Sequence, residues 1–157
     1  MNETQTDRIP PAPALVRDTG GRDRFVGTSP KDVLHAVFGF PDFRSLQGQA
    51  VACVMNGRDA LVLMPTGGGK SICYQVPALC RPGMGLVISP LIALMDDQVV
   101  GLRQVGINAA ALHSELEGDE AAKIRSDLAA GRVDLLYVSP ERLLSPGTLE
   151  RLTRQPV

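Results

Sequence analysis

The chain has 157 residues, with 16 Lys and Arg against 17 Asp and Glu and a formal net charge of −1. That balance excludes a global basic field, so any nucleic-acid partner has to be held by local groups such as helix N-termini and backbone amides. Hydrophobic residues make up 44%, aromatics only 4%, and Trp is absent, which predicts one domain with an aliphatic core suited to a parallel sheet covered on both faces.

Residues 1–28 combine Pro10-Pro11-Ala12-Pro13, Gly20-Gly21 and scattered charges without periodicity. They read as a flexible tail, and residues 29–157 as the folded domain. Ser29-Pro30 starts a helix that runs through Val33, Leu34 and Val37 to Gly39. A second helix spans about Ser45 to Asn56, stopped by Gly57. Ala60-Leu61-Val62-Leu63-Met64 is apolar and strand-like, and Lys70 to Leu79 is helical. Gly85 to Ser89 is a strand, and Leu91 to Val105 a helix closed by Gly106. Ala109 to Leu112 is read as a strand from its position between two helices, although Ala itself favours helix. Glu117 to Ala130 is a helix ended by Gly131. Asp134 to Val138 is the fourth strand, and two short helical stretches follow, from Glu141 and from Gly147. Strand and helix alternate, so the fold class is α/β: a parallel sheet joined by right-handed crossovers.

Between the strand-like segment and its helix lies Pro65-Thr66-Gly67-Gly68-Gly69-Lys70-Ser71. A glycine-rich turn at that junction lets backbone N–H groups wrap a phosphate chain. Lys70 can reach the β- and γ-phosphates, and the Ser71 hydroxyl can hold Mg²⁺. This is a P-loop, and it implies ATP or another nucleoside triphosphate as ligand. The strict pattern has a further glycine where Met64 stands.

Upstream sits Phe38-Gly39-Phe40-Pro41-Asp42-Phe43-Arg44, followed by Gln47. A glutamine amide matches the donor–acceptor edge of adenine, and an aromatic ring or an Arg plane can stack on the base. The same Phe-rich junction also reads as core packing. Ser89-Pro90-Leu91 and Ser139-Pro140-Glu141-Arg142 each join a strand to a helix start at the sheet's carboxyl edge, where ligands bind. Each also reads as a plain Ser-Pro helix-initiation signal.

Taken together, the Phe40–Gln47 segment, Met64 to Leu79, Ser89 to Gln98 and Tyr137 to Leu143 resemble the RecQ family of DNA helicases over about residues 31–150. The resemblance implies a RecA-like P-loop NTPase fold, incomplete at its C-terminal side, and ATP-driven 3′→5′ unwinding. Phe40 would stack on adenine while Arg44 and Gln47 read its edge. Thr66, Gly67, Gly68, Gly69, Lys70 and Ser71 would hold the phosphates and Mg²⁺, with Lys70 the catalytic cation. Ser89, Pro90, Leu91, Ser139, Pro140, Glu141 and Arg142 would line a single-stranded DNA track, with a duplex junction beyond it. Asp96 departs from the basic or neutral residue usual in its motif. The resemblance also implies roles in DNA repair and recombination, a second RecA-like lobe in the complete protein, and a cytosolic or nucleoid location in a bacterium.

The family's Asp-Glu-x-His element is expected beyond Val157. The single Asp-Glu pair, Asp119-Glu120, reads as favourable charge at a helix N-terminus. The 157 residues alone are therefore expected to be inactive, and the alternative reading is a non-catalytic ATP-binding or interaction module. A nucleotide kinase is disfavoured because no Arg cluster follows the P-loop. The residues alone admit RNA as well as DNA. Cys53, Cys73 and Cys80 form no C-x-x-C pair and read as reduced thiols rather than zinc ligands. His113 reads as structural, without a carboxylate partner. No apolar core resembling a signal peptide lies near Met1, and Leu86 to Met95 is too short to span a bilayer, so no membrane association is expected.

Overall fold

The computed structural model describes residues 24–116 and 118–157. The first helix, α1 (Pro30–Phe38), begins as its sequence predicts: the Ser29 hydroxyl accepts from the Asp32 N–H, and Pro30 occupies the first turn. Gly39, in the left-handed conformation, ends it. Then follow α2 (Gln47–Met55), α3 (Ile72–Cys80), β1 (Gly85–Ile88), α4 (Ile92–Gln104), β2 (Ala109–Leu112), α5 (Gly118–Ala129), β3 (Leu135–Val138), α6 (Pro140–Leu143) and α7 (Thr148–Thr153).

The three strands are parallel in the order β1-β3-β2, with Ile88 opposite Val138 and Leu112 opposite the same residue. The pleat sends alternate side chains to opposite faces. Ala109, Ala111, Leu135 and Tyr137 join a core with residues of α1 to α4, among them Leu34, Val51, Val76 and Met95. Ala110, Leu112, Leu136 and Val138 join a second core with Ile124 of α5 and Leu152 of α7. Helices thus cover both faces. The alanines of β2 make physical sense here, because small side chains let α4 lie close on that strand. At Gly85 the approach is closer still: a Cβ would come within 2.7 Å of the Ala78 Cβ on α3.

Two expectations need correction. Residues 60–64 form no strand: they pair with no other strand among the described residues. Leu61 is 89% and Leu63 79% exposed, whereas Val62 and Met64 are half-buried. The alternation of an extended segment is present, but a strand exists only where a ladder partner supplies hydrogen bonds. β1 pairs on one side only, with β3. The sheet therefore has three strands rather than four. The second correction concerns the tail. Packing reaches upstream of Ser29, since Phe25 is buried in the core and Arg24 pairs with Asp134 at 3.0 Å. The remainder of the expected tail, residues 1–23, lies outside the described residues.

Candidate nucleotide and nucleic-acid site

The P-loop runs as a turn directly into α3. Gly68 N–H donates to Pro65 C=O at 3.1 Å, and Ile72 N–H to Gly69 C=O at 3.2 Å. By contrast, the N–H groups of Gly67, Gly69, Lys70 and Ser71 donate to no acceptor among the described residues. No side chain caps α3. Free N–H groups at a helix N-terminus carry the positive end of its dipole and suit a phosphate. The Ser71 hydroxyl, half-buried, is likewise without a hydrogen bond among the described residues, which fits a metal ligand. Lys70 is exposed, and its ammonium donates to the carbonyls of Met64 and Pro65 at 2.9 and 3.0 Å.

Gln47 is 5% exposed and grips this loop. Its Nε2 donates to Gly69 C=O at 3.0 Å and Gly68 C=O at 3.4 Å, while its Oε1 accepts from Arg44 N–H at 2.8 Å. The amide expected to read a base edge is thus engaged with backbone. Gly69 has φ +74°, which favours glycine, and a Cβ there would also press on the Gln47 amide. Beside it, the Arg44 guanidinium lies 5.4 Å from the Phe40 ring centroid, a cation–π pair on the surface. The turn carrying Phe40 is tied to α1 by Lys31 and Asp42 at 2.9 Å. The lysine hydrogen bond, helped by the Phe43 N–H, holds the Asp42 carboxyl below its usual range.

The two Ser-Pro turns come together at the ends of β1 and β3. Ser89 N–H donates to Val138 C=O, and Ser139 N–H to Leu112 C=O. Their local roles differ. Ser139 is the N-cap of α6, its hydroxyl accepting from Arg142 N–H at 3.3 Å with Pro140 in the first turn. Ser89 accepts from Leu91 N–H at 3.3 Å, yet α4 begins at Ile92 with no side-chain cap. Pro90, Leu91 and Glu141 are exposed, while Ser139 is buried and Arg142 half-buried.

Several polar residues escaped the sequence reading. The Gln75 Nε2 donates to Tyr137 OH and to Gln98 Oε1, both at 3.0 Å, and the Tyr74 hydroxyl lies 3.4 Å from that of Tyr137. This network joins the P-loop helix α3, strand β3 and helix α4. A glutamine in the otherwise apolar run Ile72 to Cys80 was its only sequence signal. His113 does have a carboxylate partner: its Nε2 lies 3.3 Å from Asp96 Oδ1, while its buried Nδ1 has no partner. Asp119 and Glu120 occupy the first turn of α5. Among the described residues no cluster of three or more His, Cys, Asp or Glu could hold a metal, and no helix is long and apolar enough to cross a membrane.

A parallel sheet covered by helices, with a glycine-rich turn opening a helix, defines a partial RecA-like P-loop NTPase fold. The crystal structure of a hypothetical ATP-dependent RNA helicase from Sulfolobus tokodaii shares that fold, with a TM-score of 0.54 at 20% identity over 74% of this chain and 34% of that one. The DEAD/DEAH box helicase family matches residues 44–155, and the chain belongs to that family. Within it the chain carries a RecQ-type helicase region. The ATP-dependent DNA helicase RecQ of Synechocystis sp. is 47% identical over 126 residues, which are 80% of this chain and 26% of that protein. Pasteurella multocida RecQ is 50% identical over 114 residues, 73% and 18%. The ATP-dependent DNA helicase Q1 of Mus musculus is 43% identical over 115 residues, 72% and 18%. The chain therefore spans about a quarter or less of the length of these relatives.

Proposed function

We propose that this chain supplies the ATP-binding part, and one stretch of the DNA track, of a RecQ-type helicase that unwinds DNA 3′→5′ at the expense of ATP. One observation carries the proposal: four free P-loop N–H groups and the Lys70 ammonium gather where α3 starts, beside the Phe40–Arg44 stacking pair. In this reading the loop N–H groups and Lys70 bind the triphosphate, and Ser71 ligates Mg²⁺. When bound, Mg²⁺ would supply positive charge that offsets the charge of the triphosphate, and the Ser71 hydroxyl is the group of this chain that would hold it. Phe40 and Arg44 flank the adenine, and Gln47 holds the loop open for it. The uncapped start of α4, with Ser89, Pro90 and Leu91, and the Ser139–Arg142 turn contact a single strand. A second RecA-like lobe would face this one in the complete protein, which would work in DNA repair and recombination in the cytosol.

A different reading, a nucleotide-binding module without turnover, is favoured by one fact: the only Asp-Glu pair of these 157 residues lies in the first turn of α5, on no strand end. Nucleotide titration of Lys70→Ala tests the shared core of both. Binding should be abolished in a variant whose circular dichroism is unchanged, whereas unaltered ATP affinity would refute the P-loop assignment.

A further inference from the structure

Beyond the proposed track, two adjoining clefts run between α5 and α7 and share Arg125, Leu128, Arg151 and Leu152. The smaller opens at Leu112 and Arg142, where β2 ends and the Ser139–Arg142 turn begins. The larger, about 310 Å³, continues to Arg154. Four arginines thus face one groove, and no acidic side chain lines it. In a chain whose charges nearly cancel, this is a local concentration of one sign.

The pairing pattern sharpens the point. Arg24 and Arg132 each have a carboxylate partner, and Arg154 is bonded to Glu150 at 2.6 Å. Arg125, Arg142 and Arg151 have no ion-pair partner among the described residues. By contrast, the larger cleft beside β2 is lined by Arg103, Lys123 and Arg132 against Asp119, Glu120 and Asp127, a balanced set with no preference for an anion. Unpaired guanidiniums side by side repel one another, and an anion with several phosphates relieves that repulsion. The guanidinium fork matches phosphate oxygens two at a time. Between the arginines, Leu128 and Leu152 form an apolar floor suited to a sugar or an unstacked base.

We infer that the α5–α7 groove binds the phosphate backbone of a single nucleic-acid strand, extending the contact that begins at Arg142 to Arg125, Arg151 and Arg154. The inference rests on the nucleic-acid reading above and adds to it a path along the side of the domain.

Fluorescence anisotropy of a labelled 20-nucleotide single strand, titrated with the 157-residue chain across a salt series, tests it. Each phosphate contact to a single strand contributes about 0.7 to the slope of log K against log salt. Arg125→Gln/Arg151→Gln/Arg154→Gln should therefore lower the slope by about 2 and weaken binding about tenfold or more at 50 mM salt. Arg58→Gln/Arg81→Gln, exposed arginines outside the groove, should leave both unchanged, and thermal melts should show all variants folded. Binding that persists in the triple variant with the parental slope overturns the groove and leaves the Ser139–Arg142 contact standing. No binding by the parent chain, with ATP affinity intact, overturns the nucleic-acid reading and the groove with it. Tighter binding of an acidic peptide of equal charge would assign the groove to a protein partner and refute the inference.

Discussion

Replacing Tyr137 by Phe deletes one oxygen from the middle of the fold. Tyr137 is 1% exposed, and its hydroxyl accepts the Gln75 hydrogen bond at 3.0 Å. Phe keeps the ring and its edge-to-face contact with Tyr74, whose centroid lies 6.4 Å away, so the packing is conserved. What is lost is the acceptor for one buried Gln75 N–H, while Gln98 still takes the other. Leaving a buried donor unsatisfied costs about 1–3 kcal/mol, a sizeable share of the roughly 5–15 kcal/mol that holds a small domain together. Gln75→Leu removes the same bond from the other side. The double variant should then be less destabilised than the sum of the singles, by about 1 kcal/mol. Urea denaturation followed by far-ultraviolet circular dichroism measures all three. The chain has two tyrosines and no Trp, and both tyrosines belong to this network, so the near-ultraviolet tyrosine band reports on it directly. A Tyr137→Phe chain within about 0.3 kcal/mol of the parent, or strictly additive singles, would refute the argument.

Gln47→Ala should weaken ATP, dATP and GTP alike, by about 30-fold for two lost hydrogen bonds of roughly 1 kcal/mol each, because the amide braces the loop; a loss confined to adenine nucleotides would put it on the base. Desolvation raises the thiols of Cys73 and Cys80, the latter to about 11. At pH 8 Cys80 should therefore react with thiol reagents about 100-fold more slowly than an unperturbed thiol, and half-buried Cys53 should be labelled first; mass spectrometry of partly alkylated protein checks the order. The raised Cys80 value also means that the unfolded chain releases its proton first, so stability should fall as pH rises from about 9 towards 11; a flat melting temperature across that window would contradict it. The 157-residue chain should show no DNA-stimulated phosphate release above its Lys70→Ala control, since the resemblance places an arginine finger on the second lobe and such a finger alone is worth roughly 10³–10⁵ in rate; robust turnover lost in that control would mean that Asp119, Glu120 or Glu141 supplies a catalytic carboxylate.

Most element boundaries could be read because they are written in local chemistry. Ser29-Pro30 caps and starts α1, and Gly39, Gly57, Gly106 and Gly131 all adopt positive φ where helices end. The complete burial of β2 and β3 follows from their apolar runs. Residues 60–64 failed because hydrophobicity states what a segment can bury, while strand formation depends on a neighbour remote in sequence. The P-loop was legible from glycine spacing, yet the Gln47 clamp on it was not. That contact spans 22 positions, and nothing in the glutamine itself distinguishes a base from a loop carbonyl as its acceptor. His113 and Asp96, 17 positions apart, and the Gln75–Tyr137 pair, 62 apart, were hidden for the same reason. The arginine groove escaped because its members sit on three helical segments, and net charge averages them away.

The Lys70 ammonium, held by the Met64 and Pro65 carbonyls, has a kinetic consequence. A triphosphate cannot simply dock on a waiting cation; two hydrogen bonds within the loop must first let go. On the proposed function, capture would proceed in two steps, a fast encounter at the free N–H groups followed by a swing of the lysine from carbonyl to phosphate. In stopped-flow mixing the observed rate would rise with nucleotide concentration and level off at the rate of that swing.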